Sequence, residues 1–107
     1  MSRDVLSPGQ FAPRTGDIHE PHVGAIVSEV KTGHYYLRNL SVRPEQRGKG
    51  IGTQFMGKLL KEHDIAGTTL TLHTAQPRLE KWYGSMGFEP EGEDDFGTRM
   101  TRKPREP

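Results

Sequence analysis

The sequence predicts a small α/β domain, a mixed sheet flanked by helices. Three features predict it. Two runs with strand-like alternation, Val23 to Val30 and Tyr35 to Val42, are joined by a glycine turn. A glycine-rich turn then leads into an apolar stripe of period four. A strand of period two, Thr69 to Thr74, follows that stripe and leads into a second helical face.

Each element has its own reason. Val23 to Val30 is rich in β-branched residues, and Gly33 in Lys31-Thr32-Gly33-His34 takes a positive φ without strain, so Tyr35 to Val42 folds back antiparallel. From Gly52 the period changes: Ile51, Phe55 and Leu59, with Met56 and Leu60, form one face of a helix. It ends near Asp64–Gly67, with Gly67 as the stop. Pro77 opens the next helix, where its missing N–H costs nothing. Leu79, Trp82, Tyr83 and Met86 then recur at i, i+3, i+4 and i+7, a single buried face. Gly87 stops that helix and Phe88 begins an extended piece. Glu91 to Asp95 reads as an acidic turn and Phe96 to Arg102 as a closing strand. The order β-β-α-β-α-β-(β) makes a mixed sheet.

At 107 residues, with 31% hydrophobic and 27% charged, the chain supports one compact core and leaves some sequence outside it. Residues 1–21 hold Pro8, Gly9, Pro13, Gly16 and Pro21 among polar groups and are expected to form a flexible or loosely docked arm. The domain is expected over 22–103, with 104–107 as a tail. Fifteen Lys and Arg against 14 Asp and Glu leave a net charge of +1, which is no footprint for nucleic acid or a membrane surface. Without cysteine there is no disulfide, thiolate metal site or cysteine nucleophile. His19 and His22 are three apart but lack companion ligands, so no metal is expected. No apolar run approaches the roughly 20 residues that span a bilayer, and a cytoplasmic location is the default expectation.

The segment Arg47-Gly48-Lys49-Gly50-Ile51-Gly52 joins a strand to a helix. Glycines there let backbone approach a ligand, and the unpaired first N–H groups of the helix favour an anion such as pyrophosphate. A Walker A loop needs G-x-x-x-x-G-K-[ST] and a dinucleotide fingerprint needs G-x-G-x-x-G; these glycines run G-x-G-x-G and fit neither. Arg47, Gly50 and Gly52 instead meet the pattern [Q/R]-x-x-G-x-[G/A].

That pattern is the acyl-CoA loop of the GNAT N-acetyltransferase family, which the chain resembles over about residues 35–102. Leu40-Ser41-Val42-Arg43-Pro44 resembles the family's strand and bulge before the loop. Trp82-Tyr83-Gly84-Ser85-Met86-Gly87-Phe88 resembles its Y-x-x-x-G-F segment. The resemblance implies a mostly antiparallel sheet, reduced at the N-terminus. It also implies acetyl-CoA as co-substrate and transfer of acetyl to a primary amine by direct attack. The cofactor arm would lie between Tyr35–Val42 and Thr69–Thr74, with the backbones of Leu40 and Val42 bonding the acetyl carbonyl and pantetheine. The pyrophosphate would sit on backbone N–H groups of Arg47, Gly48, Lys49, Gly50, Ile51, Gly52 and Thr53; Arg47, Lys49 and Lys58 lie near enough in sequence to add positive charge. Gln76 stands where the family often has asparagine and would bond cofactor amides.

Tyr83 occupies the family's general-acid position, and a phenol titrating near ~10 donates well to a thiolate of similar basicity. Periodicity alone reads Tyr83 as an aromatic on a buried stripe. The family's general base, counted back from Gly50, falls at about Tyr36, where this strand carries no acid. Glu29, His34 and His73 are substitutes by residue type only, and a water relay or an amine arriving neutral needs none. Few residues precede His22, so the acceptor side is expected to be open, which suits a protein or peptide lysine. The alternative is a module with the same fold that binds CoA or a protein without catalysis. Thiol release from acetyl-CoA separates the two.

Overall fold

Val23, Ala25 and Val27 are buried while Gly24, Ile26 and Ser28 between them are half-buried, and this alternation makes the segment a strand with one core face. The computed structural model describes residues 11–105. The chain runs β1 (Gly16–Glu20), β2 (Val23–Lys31), β3 (His34–Val42), α1 (Ile51–Ala66), β4 (Thr69–Thr74), α2 (Pro77–Ser85), β5 (Glu89–Asp94) and β6 (Gly97–Arg102), with a 3-10 turn at Pro44–Gln46 before α1. The six strands form one sheet in the order β1-β2-β3-β4-β6-β5. Every neighbouring pair is antiparallel except β3 and β4, which are parallel and joined through α1.

One face of the sheet carries the core. Ile18, Val27, Tyr35, Leu37, Leu70, Leu72 and Met100 are buried against Phe55, Met56, Leu59 and Leu60 of α1 and Tyr83 of α2, so both helices lie on that face. The opposite face is polar. Tyr36, Arg38, Thr71, His73, Arg99 and Thr101 alternate with the buried set, and no described helix covers them. Helix α1 ends as its sequence predicts: Gly67 takes φ 71°, and the N–H groups of Gly67 and Thr68 donate to the carbonyls of Asp64 and His63. No described helix is long and apolar enough to cross a membrane.

Two segments differ from the sequence reading. Part of the expected arm is strand β1, paired along its whole length with β2 from Gly16–Val27 to Glu20–Val23. Ile18 is its one buried side chain, too little apolar alternation to read from sequence. Ion pairs to α1 dock this edge: Arg14 donates to Glu62 at 2.7–2.8 Å and Lys58 to Glu20 at 3.2 Å. Lys58 is therefore engaged by β1 rather than added to the glycine turn. Residues 1–10 of the expected arm, and the last two of the tail, lie outside the described residues. The acidic segment Glu91–Asp95 is mostly strand β5, with the turn at Asp95-Phe96. All six residues of β5 are exposed, so nothing in its hydropathy alternates.

Arg102 ties the ends of three elements together. It is 5% exposed, donates twice to the Asp64 carboxylate of α1 (2.8 and 3.1 Å) and once, through Nε, to the Met86 carbonyl after α2 (2.8 Å). Breaking such a buried pair leaves an uncompensated charge, a loss of about 3–5 kcal/mol. Beside it on α1, His63 is 1% exposed, with Nδ1 bonded to the Thr68 hydroxyl at 2.7 Å and its ring edge-on to Tyr35.

Burial pushes the His63 imidazole down from 6.5 to about 4, the charges of Glu62, Arg102 and Asp64 acting in opposing directions. The folded value is below the unfolded one, so the unfolded chain takes up the proton first. The stability His63 contributes as a neutral ring is complete above about pH 6.5 and is lost as pH falls toward 4, up to about 3 kcal/mol. Urea midpoints measured across that window are expected to fall steadily. In His63→Gln the same series should be markedly flatter; an equal slope in the variant would remove His63 as the cause.

Candidate active site

The site begins with a bulge. Gly24 pairs with Ser41 and Ile26 with Arg38, so two steps along β2 oppose three along β3. The extra residue falls at Asn39–Leu40, where Asn39 takes φ 58°. On its other side β3 pairs with β4 at only three positions, His34–Thr69, Tyr35–Leu70 and Tyr36–Thr71. Strand β4 continues on β6 as far as Thr74–Thr98. The two parallel strands therefore part after Tyr36 and Thr71, and the peptide groups they turn toward each other beyond that point have no ladder partner.

A cleft of 670 Å³ opens where they part. Its walls include Leu40, Val42, Arg47, Gly48, Gly50, Ile51, Gly52, Thr53, Gln76, Trp82 and Tyr83. Apart from Trp82, these are the expected catalytic and cofactor-binding residues without Lys49, which is exposed and outside the walls. Arg47 turns back along the turn, its Nε donating to the Val42 carbonyl at 3.2 Å. A second hollow adjoins the cleft between Leu37–Leu40 and Leu72–Gln76. Leu40, Gln76, Leu79 and Tyr83 line both parts.

The cleft's outer end is the start of α1. Gly50 is the N-cap at φ 77°, a left-handed conformation that glycine takes freely. It offers no side-chain cap, and no acid lies in the first turn. The first N–H groups of the helix are thus free of side-chain acceptors at the positive end of its dipole. Gly52 serves close approach: a Cβ there would meet Val42 Cγ2 at 3.3 Å and the Trp82 ring at 3.6 Å. Trp82 Nε1–H donates to the Thr53 hydroxyl at 3.2 Å, which locks α2 to the first turn of α1.

Tyr83 sits where the two parts of the cleft meet, 7% exposed, with its ring against Trp82 (5.0 Å) and Phe88 (5.7 Å). Burial raises its phenol above the ordinary 10, so the group keeps its proton at neutral pH and remains a donor. Its stripe position and its cleft position are both real.

The position about Tyr36, where no acid appears in sequence, holds a hydrogen-bonded chain instead. Tyr36 Oη lies 2.6 Å from His73 Nδ1, and His73 Nε2 lies 2.9 Å from Asp94 Oδ2. The Phe96 N–H donates to the other oxygen of Asp94 at 2.8 Å. That N–H and the His73 contact hold the Asp94 carboxyl below the usual carboxylate range. His73 lines the hollow that adjoins the cleft as well as a hollow on the helix-free face. Of the other substitutes by type, Glu29 accepts from the Gly33 N–H in the hairpin turn, and His34 lines the same face as Tyr36. Arg78 also reaches the cleft wall, with no sequence signal beyond its place in the first turn of α2.

Residues 17–90 match the family model described as an acetyltransferase (GNAT) domain. The chain belongs to the GNAT family. The match begins within β1, the strand that the sequence reading left in the arm. No curated protein matches this GNAT domain in sequence. Several solved structures share its fold. The ribosomal-protein-S18-alanine N-acetyltransferase of Escherichia coli superposes with a TM-score of 0.66 at 22% identity, covering 77% of this chain and 61% of that one. PaiA N-acetyltransferase of Thermoplasma acidophilum, solved in complex with coenzyme A, gives 0.66 at 20% identity, over 76% and 52%. A GNAT-family acetyltransferase of Staphylococcus aureus Mu50 gives 0.67 at 14% identity, over 78% and 60%. This GNAT domain thus spans between half and two-thirds of the length of those chains.

Proposed function

We propose that this GNAT domain transfers an acetyl group from acetyl-CoA to a primary amine by direct attack, the amine being a lysine of a protein or peptide. The observation that carries the reading is the parting of β3 and β4 beside an uncapped helix start. Together they make one continuous groove from the glycine turn to Tyr83. The residues fit the co-substrate. The Arg47 N–H donates to the Pro44 carbonyl at 3.3 Å, so the backbone N–H groups from Gly48 to Thr53 are the ones that suit a pyrophosphate. The peptides of Leu40 and Val42 beyond the β3–β4 ladder suit an extended amide-bearing arm, and Gln76 adds a side-chain amide. Arg47 adds positive charge once its bond to the Val42 carbonyl is exchanged for the anion. Acetyl-CoA supplies the acetyl thioester; the chain supplies position and protons. Tyr83, protonated and lining both parts of the groove, donates to the departing sulfur.

The acceptor side supports the lysine reading. The sheet face opposite the helices is open among the described residues, and the acids of β5 border it. A side chain projecting from a folded partner reaches such a face more readily than it reaches an enclosed pocket.

Trp82 is the chain's one tryptophan and lines the groove, so its emission is expected to change on titration with acetyl-CoA. Gly50→Glu places a carboxylate at the helix start in a strained conformation and should abolish that change while the far-ultraviolet spectrum stays native. Normal binding by this variant would refute the assignment of the turn. Tyr83→Phe should lower kcat by about 10²-fold or more with little change in acetyl-CoA affinity. An unaltered rate would leave Tyr83 as a packing residue only. Binding without transfer to any amine would point to the non-catalytic module.

A further inference from the structure

We propose that Tyr36, His73 and Asp94 form the proton-accepting side of the site, taking the proton that the attacking amine loses. The proposal rests on the transferase reading above. An ionised Asp94 can only accept, so His73 Nε2 carries the proton of the 2.9 Å bond. In the neutral ring Nδ1 then holds a lone pair, and the Tyr36 hydroxyl donates to it at 2.6 Å. The direction of the chain is thereby set, from Tyr36 through His73 to Asp94. The imidazole is also fixed in orientation, with Phe96 edge-on at 5.9 Å and the Tyr36 ring at 5.7 Å.

Position matters as much as chemistry. Tyr36 is the last β3 residue paired with β4, so its side chain stands at the fork of the cleft on the helix-free face. His73 is the one of the three that lines both that face and the hollow adjoining the cleft. The cofactor arm and the acceptor thus approach the fork from opposite faces. Burial and the Asp94 charge push the Tyr36 phenol up, against Arg38 and Arg99, so Tyr36 rests as a phenol and passes protons on. Charged groups facing the chain are Arg38 on β3, Arg99 on β6 with its ion-pair partner Glu91 on β5, and Lys31 and Lys103 further down the hollow, where His34 is a further titratable group.

In the step, the amine nitrogen bonds to the acetyl carbon as the carbon–sulfur bond breaks. The amine proton passes to Tyr36 Oη while the proton of Tyr36 passes to His73 Nδ1. The imidazolium that results donates through Nε2 to Asp94. The sulfur takes its proton from Tyr83, and solvent returns one from His73 to Tyr83. The net change moves the amine proton to the thiol. Tyr36 is the catalytic residue, and His73 and Asp94 act through it.

The test uses the full chain with acetyl-CoA and, as acceptors, poly-L-lysine and hydrazine. Tyr36→Phe and His73→Gln are expected to lower kcat/KM for poly-L-lysine about 10²-fold or more, with acetyl-CoA affinity within twofold of wild type. The pH–rate profile should change in both, and a loss is expected with hydrazine as well, because either nitrogen sheds a proton as it bonds to the acetyl carbon. Nitrogen-15 spectra of the ligand-free protein should show His73 protonated at Nε2 and accepting at Nδ1, with the Nδ1 resonance moving in Tyr36→Phe. Wild-type turnover and profile in Tyr36→Phe, or a proton found on Nδ1, would overturn the proton chain alone. A wild type that binds no acetyl-CoA, or transfers to neither amine, would overturn the transferase reading and the chain with it.

Discussion

Strands β3 and β4 are joined by three residue pairs, and every feature of the site lies at or beyond the third. A parallel pair that continued would satisfy its peptide groups along its length and leave no groove. The bulge at Asn39 breaks that regularity by placing one extra residue in β3 and turning its end away from β4. The cost is a set of peptide groups without ladder partners, which is acceptable only where another molecule or solvent can satisfy them. The opening is thus built into backbone register. Side chains line it rather than create it.

Around this opening the packing is arranged to prevent collapse. Trp82 bridges α2 to the first turn of α1, and Gly52 gives the indole and Val42 the room to meet. At the far end Arg102 holds the C-terminal ends of α1 and α2 and strand β6 in one buried network with Asp64. Helix α1 is thus held at its first turn by Trp82 and at its C-terminal end by Arg102, and both contacts reach α2 at its C-terminal end.

Local sequence recorded what local forces decide. Thr69–Thr74 alternates and is a strand over those residues, Gly67 ends α1 in the left-handed conformation, and Pro77 starts α2. The glycine turn and Tyr83 were legible through their spacing. What stayed hidden depends on distant partners. Strand β1 has one buried residue and owes its place to pairing with β2 and to Glu62 and Lys58 on α1. Tyr36, His73 and Asp94 are separated by 37 and 21 positions, so no window of sequence contains them. His73 was visible as a residue type, but its hydrogen-bond partners exist only once the sheet has ordered its strands as β3-β4-β6-β5. The acids around Asp94 read as a solvated turn because every residue of β5 is exposed.

Strand β5 also closes one border of the sheet, and among the described residues its outer row of peptide groups faces no other strand. Such a border is where two copies of a chain most easily stitch together. Here four of six residues, Glu89, Glu91, Glu93 and Asp94, are acidic, Pro90 offers no N–H, and the register breaks before Gly92. A second copy approaching this border would meet like charge and a kinked backbone. Among the described residues the acids beside His73 thus also face outward, where they oppose the pairing of a second copy with β5.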